Sequence, residues 1–182
     1  MSEIDKFSIQ LFEQAKRFLE KSKIENTDDG KKAYLHAALL IGISSLEAHV
    51  NAIAEEILDT RQNLDILERS LLSEKEYVFK NGYFVLTDKL KMYRLLERIE
   101  FIFNKFSTKQ TLDKGELWWS QLVETLRIRN DLVHPKVSLE INEKTVTGAL
   151  EGILGALDTI YKALFNARYP AVGRRLDSKL TF

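Results

Sequence analysis

Arg129, Asn130 and His134 fall within the run Arg129-Asn130-Asp131-Leu132-Val133-His134, with Pro135 next. The guanidinium is a permanent cation whose planar donors match the oxygens of a phosphate. The imidazole changes charge near neutral pH, so it takes or gives a proton where a reaction needs one. The Asn130 amide both donates and accepts, which suits it to fixing the ring or contacting a phosphate. Together these groups are suited to holding a phosphodiester and moving a proton beside it. Arg129 and His134 are the candidate catalytic pair, with Asn130 in support.

A helix has to present them. At about 100° per residue, the stretch Leu117 to His134 puts Trp118, Leu122, Leu126, Leu132 and Val133 on one arc. Ser120, Glu124, Arg127 and Asp131 fall opposite. Arg129 lands inside the apolar arc, and Asn130 and His134 lie one turn apart at its edge, beside Trp119 and Val123. A long helix from about Lys31 to about Thr60 repeats the anomaly. Leu40, Ile43, Ala54 and Leu58 define an apolar strip, Glu47 and Asn51 sit inside it one turn apart, and Ser45, Glu56 and Asp59 mark the polar side. A charge on a core-facing strip costs several kcal/mol unless it is paired or wetted. Glu47 is therefore expected to pair with Arg129 and orient it at the mouth of a polar cleft, with Asn51 beside it. Such a pair between two helices is also an architectural device; Asn130 and His134 are what favour a functional cleft.

The remaining composition bounds the surroundings. At 182 residues the chain is long enough for one domain with a substantial core. Two prolines and eight glycines leave little turn-forming material, which favours a few long helices over a β-sandwich. The 27 basic and 27 acidic residues cancel, so any phosphate-binding surface must be local or assembled from two chains. The absence of cysteine excludes disulfides and thiolate metal sites. No convincing metal cluster is present, and no cofactor is expected. The amino terminus lacks the basic-then-apolar pattern of a secretory signal. The longest apolar run, Ala37 to Ile43 broken by Gly42, is too short to cross a bilayer. The expected setting is soluble and cytoplasmic, with no membrane partner.

Along the chain, Ile4 to Ile24 reads as an amphipathic helix through Phe7, Leu11, Ala15, Phe18 and Leu19,. Asn26-Thr27-Asp28-Asp29-Gly30 is a break and a helix cap rather than a calcium loop, because the remaining ligand pattern is missing. After the long helix, roughly 45 Å at 1.5 Å per residue, Leu64 to Leu72 suggests another helical piece. Asn81-Gly82 marks a turn. Thr87 or Asp88 is expected to cap a helix through Leu90, Tyr93, Leu95, Leu96, Ile99, Ile102 and Phe106. Ser107 to Gly115 is a polar connection. The motif helix stops near Pro135, Val137 to Ile141 alternates weakly, and Thr145 or Thr147 starts a last helix through Leu150, Ile153, Leu157, Ile160 and Leu164. Arg168 to Phe182 reads as an appended tail.

The form Arg129-Asn130-x3-His134 followed by Pro135, together with Ser44-Ser45-Leu46-Glu47-Ala48-His49-Val50-Asn51 on the long helix, resembles the HEPN superfamily. The resemblance spans roughly residues 1–168. It implies an all-α fold, a HEPN-like bundle of about five to six helices with a long central helix, and leaves 169–182 as a C-terminal tail. It also implies a homodimer in which two copies of the motif face one cleft. The implied activity is that of a metal-independent endoribonuclease in a toxin–antitoxin or antiviral defence setting, with RNA as substrate and an antitoxin or other protein as a further partner. Other members are inactive or bind nucleotides or partner proteins. The alternative is therefore a catalytically silent module that binds a nucleotide, RNA or another protein.

RNA cleavage by its own 2′-hydroxyl needs a base near that hydroxyl, an acid near the leaving oxygen and positive charge for the phosphorane. A neutral imidazole serves as base and an imidazolium as acid. Two symmetry-related histidines would divide those roles, and a 2′,3′-cyclic phosphate would follow. Arg127, Lys136 and Trp119 are the candidate RNA contacts. Arg168, Arg174 and Arg175 extend a local basic surface, or are a solvated scatter of charge. Trp118 and Trp119 point about 100° apart, so one fills the core while the other lines the cleft or a dimer face. His36 and His49 read as structural or surface residues. A third reading has no cleft at all, with Arg129 neutralised internally.

Overall fold

The computed structural model describes residues 3–107, 110–136 and 138–182. Among the described residues, six α-helices and one short hairpin follow in the order α1 (Glu3–Ile24), α2 (Asp28–Thr60), α3 (Ile66–Ser73), β1 (Lys75–Lys80), β2 (Tyr83–Leu90), α4 (Leu95–Phe106), α5 (Leu117–Val133) and α6 (Glu143–Phe165), with a single 3-10 turn at Val172–Arg174. The fold is mainly helical, as the composition demands, with one exception at residues 75–90.

Thr27 starts α2 by accepting the Gly30 N–H on its side chain, and Asp28 and Asp29 occupy the first turn, where the helix dipole favours acid,. The helix is the axis of the bundle, with α1, α3, α4, α5 and α6 all packed against it. It is long and apolar enough to cross a membrane, yet 61% of its 18-residue apolar stretch is buried inside the bundle. Its hydrophobicity is spent on the core. Because α2 is surrounded, its expected polar side is not all polar surface. Ser45 is fully buried and donates to the Ser8 carbonyl at 2.7 Å. His49, one turn on, is buried as well.

The short helix α3 opens with a capping box: Asp65 accepts from Leu67 and Glu68 N–H, and the Glu68 side chain returns to the Asp65 N–H,. Glu74 ends it in a left-handed conformation, φ 51°. The chain then turns into an antiparallel hairpin, with Val78 opposite Val85 and Phe79 opposite Phe84. Asn81 (φ 54°) and Gly82 (φ 87°) form its turn. Positive φ at both central residues is what a right-twisted two-residue hairpin requires, and Asn-Gly is the dipeptide that supplies it.

The expected helix cap at Thr87 or Asp88 is therefore corrected. Thr87 Oγ1 reaches across the hairpin to the Glu76 carbonyl at 3.2 Å, and Asp88 pairs with Lys75 at 2.9 Å. Both residues, and Leu90, belong to β2, and α4 begins only after Arg94. The last helix starts earlier than expected, with Asn142 accepting the Thr145 N–H at 2.9 Å. Residues 138–142 form no strand, and Val137 lies outside the described residues.

The carboxyl-terminal segment is built into the bundle rather than appended to it. Tyr169 is fully buried and meets Phe12, His49 and Tyr161 edge-on. Beyond it, Arg174 and the Lys179 N–H reach Glu13 on α1, both at 2.7 Å.

Candidate functional site

Glu47 on α2 and Arg129 on α5 meet as the helical wheels require. Arg129 Nη2 donates to Glu47 Oε1 at 2.8 Å, and Nη1 donates to Asn130 Oδ1 at 3.1 Å. The two charged side chains are 33% and 39% exposed respectively. Neither is sealed: the pair stands on the wall of an open cavity of about 630 Å³. Such a volume is in the range of small-molecule sites.

Much of the remaining lining comes from residues the sequence reading did not select. Glu74, Met92, Tyr93 and Arg94 stand at the foot of the hairpin, and Leu95, Leu96, Glu97, Arg98 and Glu100 on the first turns of α4. Arg98 is the most constrained. It is 3% exposed, and its Nη1 lies 2.7 Å from Asn51 Oδ1 and 3.0 Å from Glu74 Oε2. Its Nη2 donates to the Leu72 carbonyl at 3.0 Å. Burial pushes the guanidinium below its ordinary value, and the Glu74 and Glu47 carboxylates oppose that shift,. Asn51 thus lines the cavity as expected, but its oxygen is committed to Arg98. A signal for Arg98 was present in the sequence: it lies three residues after Leu95 and four before Ile102, on the apolar stripe of its own helix.

The cavity lining carries one more carboxylate than guanidinium: Glu47, Glu74, Glu97 and Glu100 against Arg94, Arg98 and Arg129. Glu100 is further tied to Lys114 at 2.8 Å. Arg94 is the loosest of these charges, 87% exposed and 3.8 Å from Glu97.

His134 is separated from this cavity. It caps the carboxyl end of α5, its N–H bonding the Asn130 carbonyl at 2.9 Å. Its exposed side chain lines a smaller hollow of about 310 Å³ with Asn130, Asp131, Lys136 and Leu139. Asn130 belongs to both spaces and is the only residue bridging them among those that line each. One chain therefore places Arg129 and His134 on adjoining surfaces, joined by Asn130, rather than in one pocket.

The candidate RNA contacts divide. Lys136 is exposed beside His134. Arg127 is taken up by Glu124 at 2.6 Å and Asp131 at 2.9 Å. Trp119 is buried edge-on against Trp118, with Lys114 over its ring at 5.3 Å. Both tryptophans serve the core. Arg168 and Arg174 pair with Asp158 and Glu13 rather than forming a basic surface with the motif.

Comparison with protein-family models, with curated proteins and with solved structures finds no match for this chain.

Proposed function

We propose that this protein is a metal-independent endoribonuclease of the HEPN type, acting as a homodimer in a toxin or defence setting. The observation that carries the reading is the placement of Arg129. A charge on a largely apolar helix is held by Glu47 at 2.8 Å on the wall of an open cleft, with an exposed imidazole one turn beyond Asn130. Arg129 is held through Nη2 by Glu47 and through Nη1 by Asn130, and the guanidinium's remaining N–H groups are left for a phosphate.

In the reaction, a base removes the proton of the ribose 2′-hydroxyl, whose oxygen attacks the neighbouring phosphorus. The bond from phosphorus to the 5′-oxygen breaks, and an acid protonates that oxygen. The products are a 2′,3′-cyclic phosphate and a 5′-hydroxyl. Neutral and protonated imidazoles, His134 from each of two chains, take the base and acid roles, and Arg129 compensates charge on the phosphorane. A second copy also answers the separation of Arg129 from His134 within one chain, by facing the two motifs across one groove.

That same separation, with the excess carboxylate in the cavity lining, favours a second reading: a catalytically silent module that binds RNA, a nucleotide or a partner protein. Purified protein incubated with single-stranded RNA and a chelator decides between them. Cleavage with cyclic phosphate ends, falling about 100-fold or more in Arg129→Ala and His134→Ala, supports the nuclease. Cleavage unchanged in both folded variants, or no cleavage by the parent protein, removes it.

A further inference from the structure

The hairpin β1–β2 has no assigned task, and its surface is unusual. Phe79, Tyr83 and Phe84 near its tip are 66%, 75% and 57% exposed. Phe79 and Phe84 stack edge-on at 5.2 Å. Tyr83 stands opposite Lys80 beside the turn. The ribbon is two strands wide, and among the described residues no further strand covers either edge.

Its charge is also unlike the remainder of the chain. Residues 75–91 hold four lysines and two carboxylates, leaving 23 basic against 25 acidic residues elsewhere. Both carboxylates are already paired, Asp88 with Lys75 at 2.9 Å and Glu76 with Lys89 at 3.1 Å. The excess is therefore Lys80 at the tip and Lys91 at the foot. The Lys91 ammonium sits 4.9 Å from the Tyr77 ring centre and 5.0 Å from that of Tyr93. Tyr93 and the exposed Arg94 line the cleft together with Arg129. Successive pairs of the ladder point to opposite faces, so Phe79, Phe84 and Tyr77 share one face, which continues to Lys91 and Tyr93, while Lys80 and Tyr83 lie on the other,.

We infer that the hairpin is a stacking platform for single-stranded RNA and that its Phe79, Phe84, Tyr77 and Lys91 face leads a strand to the cleft of Arg129. Aromatic rings with cations between them bind single strands because every base has a stacking face and every linkage a negative charge. Lysines on both strands discourage edge-to-edge pairing with another sheet, which weighs against a docking strand from a second protein. The inference rests on reading the cleft as an RNA site, and it names the form of RNA that site receives.

The test uses the full chain carrying His134→Ala, with fluorescein-labelled 12-nucleotide oligouridine and anisotropy at low salt. Phe79→Ala combined with Lys91→Glu should weaken binding at least tenfold. Phe79 is 66% exposed and Lys91 follows the end of β2, so neither change removes a core side chain. Lys32→Glu, the same charge change near the start of α2, should weaken binding less than threefold.

Equal weakening by both substitutions overturns the platform, as does affinity within twofold of the background or no measurable binding of the oligomer. So does loss of a dimer in sedimentation with RNA affinity intact, which would make the hairpin a self-association arm. The two proposals fail separately. Hairpin-dependent binding without cleavage leaves the platform standing and removes the nuclease. Cleavage that needs Arg129 and His134 but ignores the hairpin does the reverse.

Discussion

Asn51 accepts a hydrogen bond from Arg98 at 2.7 Å, and this contact ties the hairpin foot and α4 to the central helix. The same guanidinium holds Glu74 and the Leu72 carbonyl, so one buried cation joins four segments of chain. Removing it leaves Glu74 without its ion partner and Asn51 without its donor. Arg98→Met should destabilise the fold by about 3 kcal/mol, the order found when one partner of a buried pair is lost. Asn51→Ala should cost less, about 1–2 kcal/mol. Urea melts of the two variants read this directly, and equal, sub-kilocalorie effects would show that Arg98 is not the tie.

The Glu47–Arg129 contact is a different kind of pair, because both side chains are about a third exposed. Solvent screening leaves such pairs about 0–1 kcal/mol of stability. Glu47→Gln should therefore melt within a few degrees of the parent protein. Its effect should appear in RNA cleavage, lowered about tenfold or more because Arg129 is no longer held at the cleft wall. Exchange of the two residues, Glu47→Arg with Arg129→Glu, should restore the ion pair without restoring cleavage. Full activity in the exchanged protein would make the pair architectural.

The pairing of these two residues was legible in the sequence because each breaks an apolar stripe on its own helix. Helical spacing alone identified both, since a charge in a core-facing strip must find a partner. The hairpin was not legible by the same route. Its residues carry apolar spacing that a helix also satisfies, and the decisive signal is local: Asn81-Gly82 flanked by β-branched and aromatic residues. Read as a turn between helices, that dipeptide hid the foot of the hairpin, and with it the wall that Tyr93, Arg94 and Arg98 supply. The carboxyl-terminal segment was missed for another reason. Tyr169 is a single ring in a polar stretch, and only the tertiary structure shows the slot between Phe12 and Tyr161 that it fills.

That segment makes the fold sensitive to acid. Glu13 is fully buried and accepts from Lys179 N–H, Arg174 and Lys16. Burial alone would raise its carboxyl; the Lys179 N–H, Arg174 and Lys16 together bring it below the ordinary value. Asp158 behaves likewise, with burial opposed by Arg168, Lys162 and the Tyr169 N–H. A carboxylate depressed in the folded state contributes stability that is complete above its unfolded value, about 4. The contribution is lost as pH falls through the folded value. Stability should thus decline below about pH 4–5, with residues 169–182 becoming open to protease. Glu13→Gln should be less stable than the parent at pH 7, and the gap should narrow towards about pH 3. A gap that stays constant with pH would remove Glu13 as the acid-sensitive group.

The closest approach behind the motif helix sets the last test. A Cβ built on Gly152 of α6 would lie 2.7 Å from Gln121 Cβ and 3.1 Å from the Leu122 backbone nitrogen, and one on Gly155 would lie 2.5 Å from Trp118 Cβ. These glycines let α5 and α6 pack with almost nothing between them. Alanine in place of either gains up to about 1 kcal/mol of helix propensity, but the obstruction is backbone and Cβ, which cannot rotate aside. Overpacking of this kind costs about 1–3 kcal/mol, so the net effect of Gly152→Ala or Gly155→Ala should be destabilising. Gly148, one turn earlier, provides the internal control. Its nearest neighbour would be 3.9 Å away, an ordinary contact, so Gly148→Ala should be neutral or stabilising by up to about 1 kcal/mol. Because α5 also bears Arg129 and His134, displacement at Gly152 should lower cleavage without touching the cleft. If all three variants melt alike, α5 is not seated against α6 through these glycines, and the positioning argument for the motif fails with it.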